Sequence, residues 1–325
     1  MAETSMSTPT RPPIVGAIWA MSAMLFFSVN DVTIKFLSPY YALHEIVLLR
    51  SLIGMAVLLA FIVPFSGGLA ALRTNRLGLH LIRASFVVVA NMAFFLGLSA
   101  MPIAEAVAIF FISPLVITVF SVIFLKETVG PRRWVAIAVG LCGVIVMVRP
   151  GTEAFQPASL LPLAAAVCYA SLHMMTRKLG GTEGAAALSF YIQITFVVVT
   201  LAIGLAIGDG RYSEQDNVSL AFFFRAWSWP AAEHWPLLCA VGATSALGGF
   251  FISQAYRLTE AAFIAPFEYV AMPIAIFWGV VVFDEWPDAV AWAGIALIIG
   301  SGLYLLWRET VVGRSHAASG SEYRR

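Results

Sequence analysis

Along the chain, long apolar stretches alternate with short polar or Gly/Pro-rich punctuation. The apolar runs fall at 14–36, 43–64, 77–99, 102–125, 132–149, 158–177, 185–208, 235–256, 262–283 and 288–307. Most reach the roughly 18 residues that a helix needs to cross ~30 Å of hydrocarbon. A lone segment in hydrocarbon must satisfy its own backbone hydrogen bonds, so each run is expected to be a helix. The links SPYYALH, PFSGGLAALRTNR, KETVGPRR, RPGTEAF, RKLGGTEG and FDEWPD carry the Gly, Pro, Asn and Asp typical of turns. Being short, they make consecutive helices antiparallel neighbours. The one long link, 209–234, contains FFFRAWSWP (222–230), whose aromatics predict a segment lying in the membrane interface. The tails, 1–13 and 309–325, read as disordered. The expected fold class is therefore all-α integral membrane, with ten transmembrane helices.

Composition agrees and narrows the function. Hydrophobic residues make up 60% of the 325 and charged residues 11%, against roughly 45–50% and 25% in soluble domains. A net charge of +1 offers no basic field for nucleic acid. The three cysteines, Cys142, Cys168 and Cys239, lie in apolar runs and read as small packing residues, not a disulfide framework. The first run is longer than a signal-peptide core and carries Asn30 and Asp31, so it reads as a retained helix. No P-loop, H-E-x-x-H or G-x-S-x-G pattern occurs, nor paired intramembrane histidines for haem. A membrane-embedded enzyme or a non-transporting receptor or scaffold is thus the weaker alternative, and no cofactor or metal is expected.

Loop charges give an orientation. Most Lys and Arg fall on the side that holds both termini, leaving Lys35, Arg149, Arg211 and Arg225 on the other. The positive-inside rule then puts both termini in the cytoplasm, in a cell (inner) membrane. The two halves also echo each other. LKETVGPRRW (125–134) follows a run containing Pro114, and FDEWPDAVAW (283–292) follows one containing Pro273. Each Glu precedes its Trp by seven residues, Glu127 with Trp134 and Glu285 with Trp292. FFSVNDVTIK (26–35) can be laid on YASLHMMTRK (169–178), aligning Ser28 with Ser171 and Lys35 with Lys178. A repeat of five helices, an odd number, enters the membrane the second time with opposite polarity. Inverted repeats of this kind build the midplane sites of many secondary transporters.

These blocks, with ALHEIVLLRS (42–51) and AYRLTEAAFIAPFEYVAMP (255–273), resemble the drug/metabolite transporter superfamily, specifically its ten-helix members with two EamA-type repeats. The resemblance covers roughly 14–308 and implies a first repeat at 14–149, a second at 150–308 and cytoplasmic tails at 1–13 and 309–325. It implies a secondary transporter moving a small organic metabolite by alternating access, proton coupling being one option. NDVTIK, HEIVLLRS and APFEY look more like members that take up riboflavin or S-adenosylmethionine than like amino-acid exporters. Partners are a small-molecule substrate and the lipid bilayer; a homodimer is compatible with the sequence.

Charges inside the spans are the best local clues, because inserting one near the bilayer centre costs ~2.5–3.5 kcal/mol. Asp31 and Lys35 share a face of helix 1 at i, i+4 and are expected to pair. Glu45 opens helix 2, where a carboxylate suits the helix dipole. Arg50 lies two turns into helix 2 and should point into a central cavity, either bridging to Asp31 or Glu45 or binding an anionic group of the substrate with its planar fork. Glu268 sits between Pro266 and Pro273, and Pro273 should free the carbonyl of Tyr269. Asn91, His173, Tyr191, Gln193 and Gln254 are neutral polar candidates that serve equally as interhelical glue. The expected substrate set is Asp31, Arg50, Asn91, His173, Tyr191, Gln254, Glu268 and Tyr269. The expected coupling or ion-pair set is Asp31, Lys35, Glu45 and Glu268.

Overall fold

The computed structural model describes residues 13–125, 130–152, 155–179, 184–258 and 267–322, with some side chains inside those helices left out. Among the described residues every regular element is helical. In chain order they are α1 (Pro13–Leu37), α2 (Leu43–Val57), α3 (Leu77–Leu98), α4 (Ile103–Phe110), α5 (Ser113–Leu125), α6 (Pro131–Val148), α7 (Leu160–Leu179), α8 (Ala185–Ile207), α9 (Val218–Phe224), α10 (Trp235–Leu258), α11 (Ala271–Phe283) and α12 (Ala289–Glu322). Among the described residues six helices are long and apolar enough to cross a membrane, and four further apolar helices are shorter. Large side chains such as Ile145, Val198, Leu205 and Val281 are exposed on the outside of the bundle. A surface this apolar is what lipid would cover. The chain is a multi-pass membrane protein.

The helices pack around a shared centre. α1 lies on α10, α3 on α7, α6 on α12, and α2 on both α8 and α10. Gly242 lets α10 approach α2 closely: a Cβ there would lie 3.1 Å from the Arg50 carbonyl.

Two apolar runs are not single straight helices. The run at 102–125 breaks between α4 and α5, just after Phe110, and the run at 262–283 has a turn at 269–270. Pro114 and Pro273 each lie four residues beyond the break. A proline lacks the N–H that its i−4 carbonyl would accept, and its ring clashes with that carbonyl. The Tyr269 carbonyl, expected to be unpaired, instead accepts from the Met272 N–H at 3.0 Å, because the chain tightens there. At the other end of the sequence, α12 runs to Glu322, so most of the segment expected as a disordered tail continues the helix.

The long link also departs from expectation. Residues 209–234 do not simply lie in an interface; they fold back onto the starts of α2 and α10. Asn217 caps α9 by accepting from Leu220 N–H at 3.1 Å. Phe222 joins the main core, and the Trp227 indole fills a slot that only Gly204 leaves open. Trp227 Nε1 donates to His44 Nδ1 at 2.6 Å, and Arg225 Nη1 donates to the Ser38 carbonyl at 2.6 Å. Trp229 alone matches the interfacial reading, at 86% exposed.

Candidate functional site

At the centre of the bundle is a cavity of about 230 Å³ whose wall is mainly apolar. Phe27, Phe94, Phe110, Phe196 and Trp278 supply aromatic faces from α1, α3, α4, α8 and α11. Both helix breaks reach the wall, through Phe110 and Phe111 on one side and Glu268 and Ala271 on the other. Irregular backbone at membrane depth is tolerated where it borders such a cavity.

One end of the cavity is organised by Arg50, which is only 2% exposed. Its Nη2 donates to Asn91 Oδ1 at 2.8 Å and its Nη1 to Asn30 Oδ1 at 3.3 Å. Asn30 is itself fixed, donating Nδ2 to the Val241 carbonyl at 3.1 Å. The guanidinium carbon lies 4.9 Å from the Phe196 ring centre and 5.7 Å from that of Phe95. Hydrogen bonds to a charged group contribute about 1.5–3 kcal/mol each, and a desolvated cation–π contact adds ~2 kcal/mol. Those contributions offset the ~2.5–3.5 kcal/mol of inserting the charge, with no carboxylate in contact. The Nε–H is left without an acceptor. Asp31 is also on the wall and interacts with Arg50 electrostatically.

The other polar group is Glu268, 3% exposed and held between two phenols. Tyr256 donates a short hydrogen bond to Oε1, and Tyr169 donates to Oε2 at 3.5 Å. The carboxylate therefore joins the start of the last broken helix to α10 and α7. Arg83 from α3 reaches the same wall, with Nη1 donating to the Leu188 carbonyl at 3.3 Å. Among the described residues no group of three or more His, Cys, Asp or Glu could hold a metal ion.

Of the expected substrate residues, Asp31, Arg50, Asn91 and Glu268 meet at this cavity. Three others do not. Tyr191 donates to the Leu72 carbonyl at 3.0 Å and stacks on His80, which anchors the α2–α3 connection. Its neighbours Ile192 and Gln193 line the wall instead, because a helix turns ~100° per residue. Tyr269 is buried against Phe111, ring centres 5.1 Å apart, outside the wall. Gln254 is also absent from the wall, where Ser253 and Tyr256 flank it. The side chain of His173 lies outside the described residues.

The ion-pair expectations change as well. Lys35 does not pair with Asp31: its Nζ donates to both carboxylate oxygens of Glu285, at 2.6 and 2.7 Å, and to the Met101 carbonyl at 2.8 Å. A lysine reaching outward along α1 finds the end of α11 and the α3–α4 turn closer to hand. Glu45 lies in the first turn of α2 and accepts from Ser228 N–H at 3.4 Å, away from the cavity. Nearby, Arg149 holds Asp288 through two 2.6 Å contacts, and that hydrogen-bonded charge keeps the Asp288 carboxyl below its usual range.

Sequence reasoning did not single out Arg83, Tyr169 or Tyr256. Arg83 had a usable signal, a charge within the run LHLIRASFVVV. The tyrosines had none, since their role depends on how α7 and α10 pack around Glu268.

The sequence profile of the EamA-like transporter family matches residues 14–149. A riboflavin transporter of Brucella anthropi is 30% identical over 80% of this chain and 87% of its own. An S-adenosylmethionine uptake transporter of Rickettsia prowazekii is 26% identical, covering 94% of this chain and 96% of its own. A solved crystal structure, 18% identical, shares the fold with a TM-score of 0.63 over 88% of this chain and 94% of that one.

Proposed function

The chain belongs to the EamA-like transporter family, within the drug/metabolite transporter superfamily, and on that premise we propose that it is a secondary uptake transporter working by alternating access. In this reading ten helices span the inner membrane as two inverted five-helix repeats, with both termini cytoplasmic. The packing supports it. Exchanging the halves maps α1 onto α7, α2 onto α8, α3 onto α10, α4 with α5 onto α11, and α6 onto α12. Under that exchange the α1–α10 contact becomes α7–α3, α2–α10 becomes α8–α3, and α1–α11 becomes α7 against α4 and α5. All of these contacts are present, while α2–α8, α6–α12 and α4–α11 map onto themselves. Two interchangeable halves around one cavity are what alternating access requires.

The substrate class in this proposal is a flat heteroaromatic metabolite with acceptor atoms on its edge, riboflavin first. The carrying observation is Arg50: a guanidinium immobilised by neutral amides, with its Nε–H left without an acceptor, in an aromatic-walled cavity. Aromatic rings stack favourably on such walls, and a fixed donor rejects ligands that cannot satisfy it. S-adenosylmethionine is the second reading, favoured by Asp31 and Glu268 on the same wall, since carboxylates suit a cationic centre. Proteoliposomes should show saturable riboflavin uptake that protein-free vesicles lack. Saturable S-adenosylmethionine uptake without riboflavin uptake would select the second reading. No flux of either compound, or of a wider metabolite panel, in either direction would sink the transporter assignment.

A further inference from the structure

The Lys35–Glu285 pair is built more firmly than an ordinary surface ion pair. Its side chains are 9% and 27% exposed, and the three Lys35 contacts use all three ammonium donors. The ammonium also sits 4.8 Å from the Phe283 ring centre. Glu285 is equally constrained. α11 ends with Asp284 in the left-handed region, φ 56°, and the Glu285 N–H returns to the Gly279 carbonyl at 2.9 Å. Its Oε2 accepts a further hydrogen bond from the Ile103 N–H, 3.1 Å, at the start of α4. One carboxylate thereby ties α1, the α3–α4 turn and the end of α11 together.

Its position relative to the cavity gives the pair a role. Ile103, whose N–H Glu285 holds, lines the cavity wall. Asp31, also on the wall, is one turn before Lys35 on the same face of α1. The sequence spacing favours an Asp31–Lys35 pair, but the structure spends Lys35 on Glu285. Glu285 holds the ammonium and Glu105 also acts on it electrostatically, while Asp31, one turn back on the same helix face, is the carboxylate that lies on the cavity wall. The same pair of residue types recurs in the sequence of the other half, where Lys178 aligns with Lys35 and Glu127 with Glu285.

We propose that the Lys35–Glu285 bridge is the outer gate of the transport cycle, and that opening it hands Lys35 over to Asp31 in the cavity. The proposal rests on the alternating-access reading above. With the bridge formed, α1, α4 and α11 are clamped and the cavity is sealed at the Lys35 end. Parting α1 from α11 breaks the bridge, and Asp31 receives the lysine, so neither charge at the cavity's edge is stranded. A substrate group that occupies Asp31 would remove that acceptor and favour reclosure, which links occupancy to gating.

The test places a thiol reporter in the cavity wall by Ser245→Cys, with Cys142, Cys168 and Cys239 replaced by Ser. A membrane-impermeant maleimide is applied from the Lys35 side to sealed cells without substrate, and riboflavin uptake is measured in matched proteoliposomes. Lys35→Gln and Glu285→Gln should each raise the labelling rate about tenfold or more, as expected when one side of a two-state equilibrium loses its clamp. The double exchange Lys35→Glu with Glu285→Lys should restore protection to within about twofold, which simple misfolding would not do. Adding Asp31→Asn to Glu285→Gln should lower labelling again, because the open state has lost its acceptor. Labelling unchanged by both single variants, in a protein that still transports, overturns the gate and leaves the transporter reading intact. Normal gate responses without riboflavin flux overturn the substrate and support the gate. Equal labelling from both sides in the parent protein overturns alternating access, and the gate with it.

Discussion

Two of the buried charges on the cavity wall, Arg50 and Glu268, are accommodated in different ways. Arg50 is held by two neutral amides and two aromatic rings, which fix its position without an ion-pair contact and leave its Nε–H without an acceptor. Glu268 has both carboxylate oxygens occupied by phenol donors from α7 and α10. Residual hydrogen-bonding capacity is what a ligand site needs, since a buried donor gains most when an incoming group satisfies it. A carboxylate held by two phenols that joins three elements suits a different task, holding or releasing a proton as those elements move. We therefore assign substrate capture to the Arg50 end and coupling to the Glu268 end.

Arg50→Gln gives the sharpest break in that comparison. It should cut initial uptake by about a hundredfold or more, because the bidentate fork between Asn30 and Asn91 is lost. Arg50→Lys should rescue little, as a single ammonium cannot reproduce the planar fork. Uptake assayed at matched membrane abundance decides this, and wild-type transport in Arg50→Gln would reverse the assignment of the two ends. Glu268→Gln should cost less, about tenfold, the scale of losing charge-assisted hydrogen bonds of ~1.5–3 kcal/mol. Its signature is qualitative: uptake should no longer respond to an imposed pH gradient. A retained pH response would remove Glu268 from coupling.

The smallest effect belongs just beyond the helix ends, at Arg149–Asp288. Asp288→Asn keeps the cap that Oδ1 provides to the Ala291 N–H, 2.7 Å, and removes only the charge. The pair is half-exposed, so the loss at neutral pH should stay below about 1 kcal/mol. Because the folded-state pKa of Asp288 is depressed, its contribution is present above the unfolded carboxylate pKa. It is lost as pH falls through the folded value. Thermal denaturation in detergent should therefore separate the variant from wild type at neutral pH and bring them together in acid or high salt. A difference that persists in acid would show that the cap, not the charge, matters.

Much of the architecture was legible in the chain because hydrocarbon leaves few options. Apolar runs of span length must be helices, and Pro114 and Pro273 mark where two of them break. Arg50 and Glu268 stood out because a charge in such a run needs a reason. Tyr169 and Tyr256 carried no such mark, and Tyr191 and Tyr269 were misplaced, because the side of a helix that meets a cavity depends on which helices surround it. With apolar residues on nearly every face, the usual amphipathic stripe is missing as a guide.

By itself, the sequence determined helical class and most approximate helix limits, since both follow from local length, hydropathy and backbone chemistry. The tertiary structure decided the partners. Lys35 lies four residues from Asp31 yet pairs with Glu285, and Glu268 finds its hydrogen bonds on helices separated from it by up to 99 residues. In a low-dielectric interior, a charge takes the partner that packing brings within hydrogen-bond reach, and sequence distance carries little information about that choice.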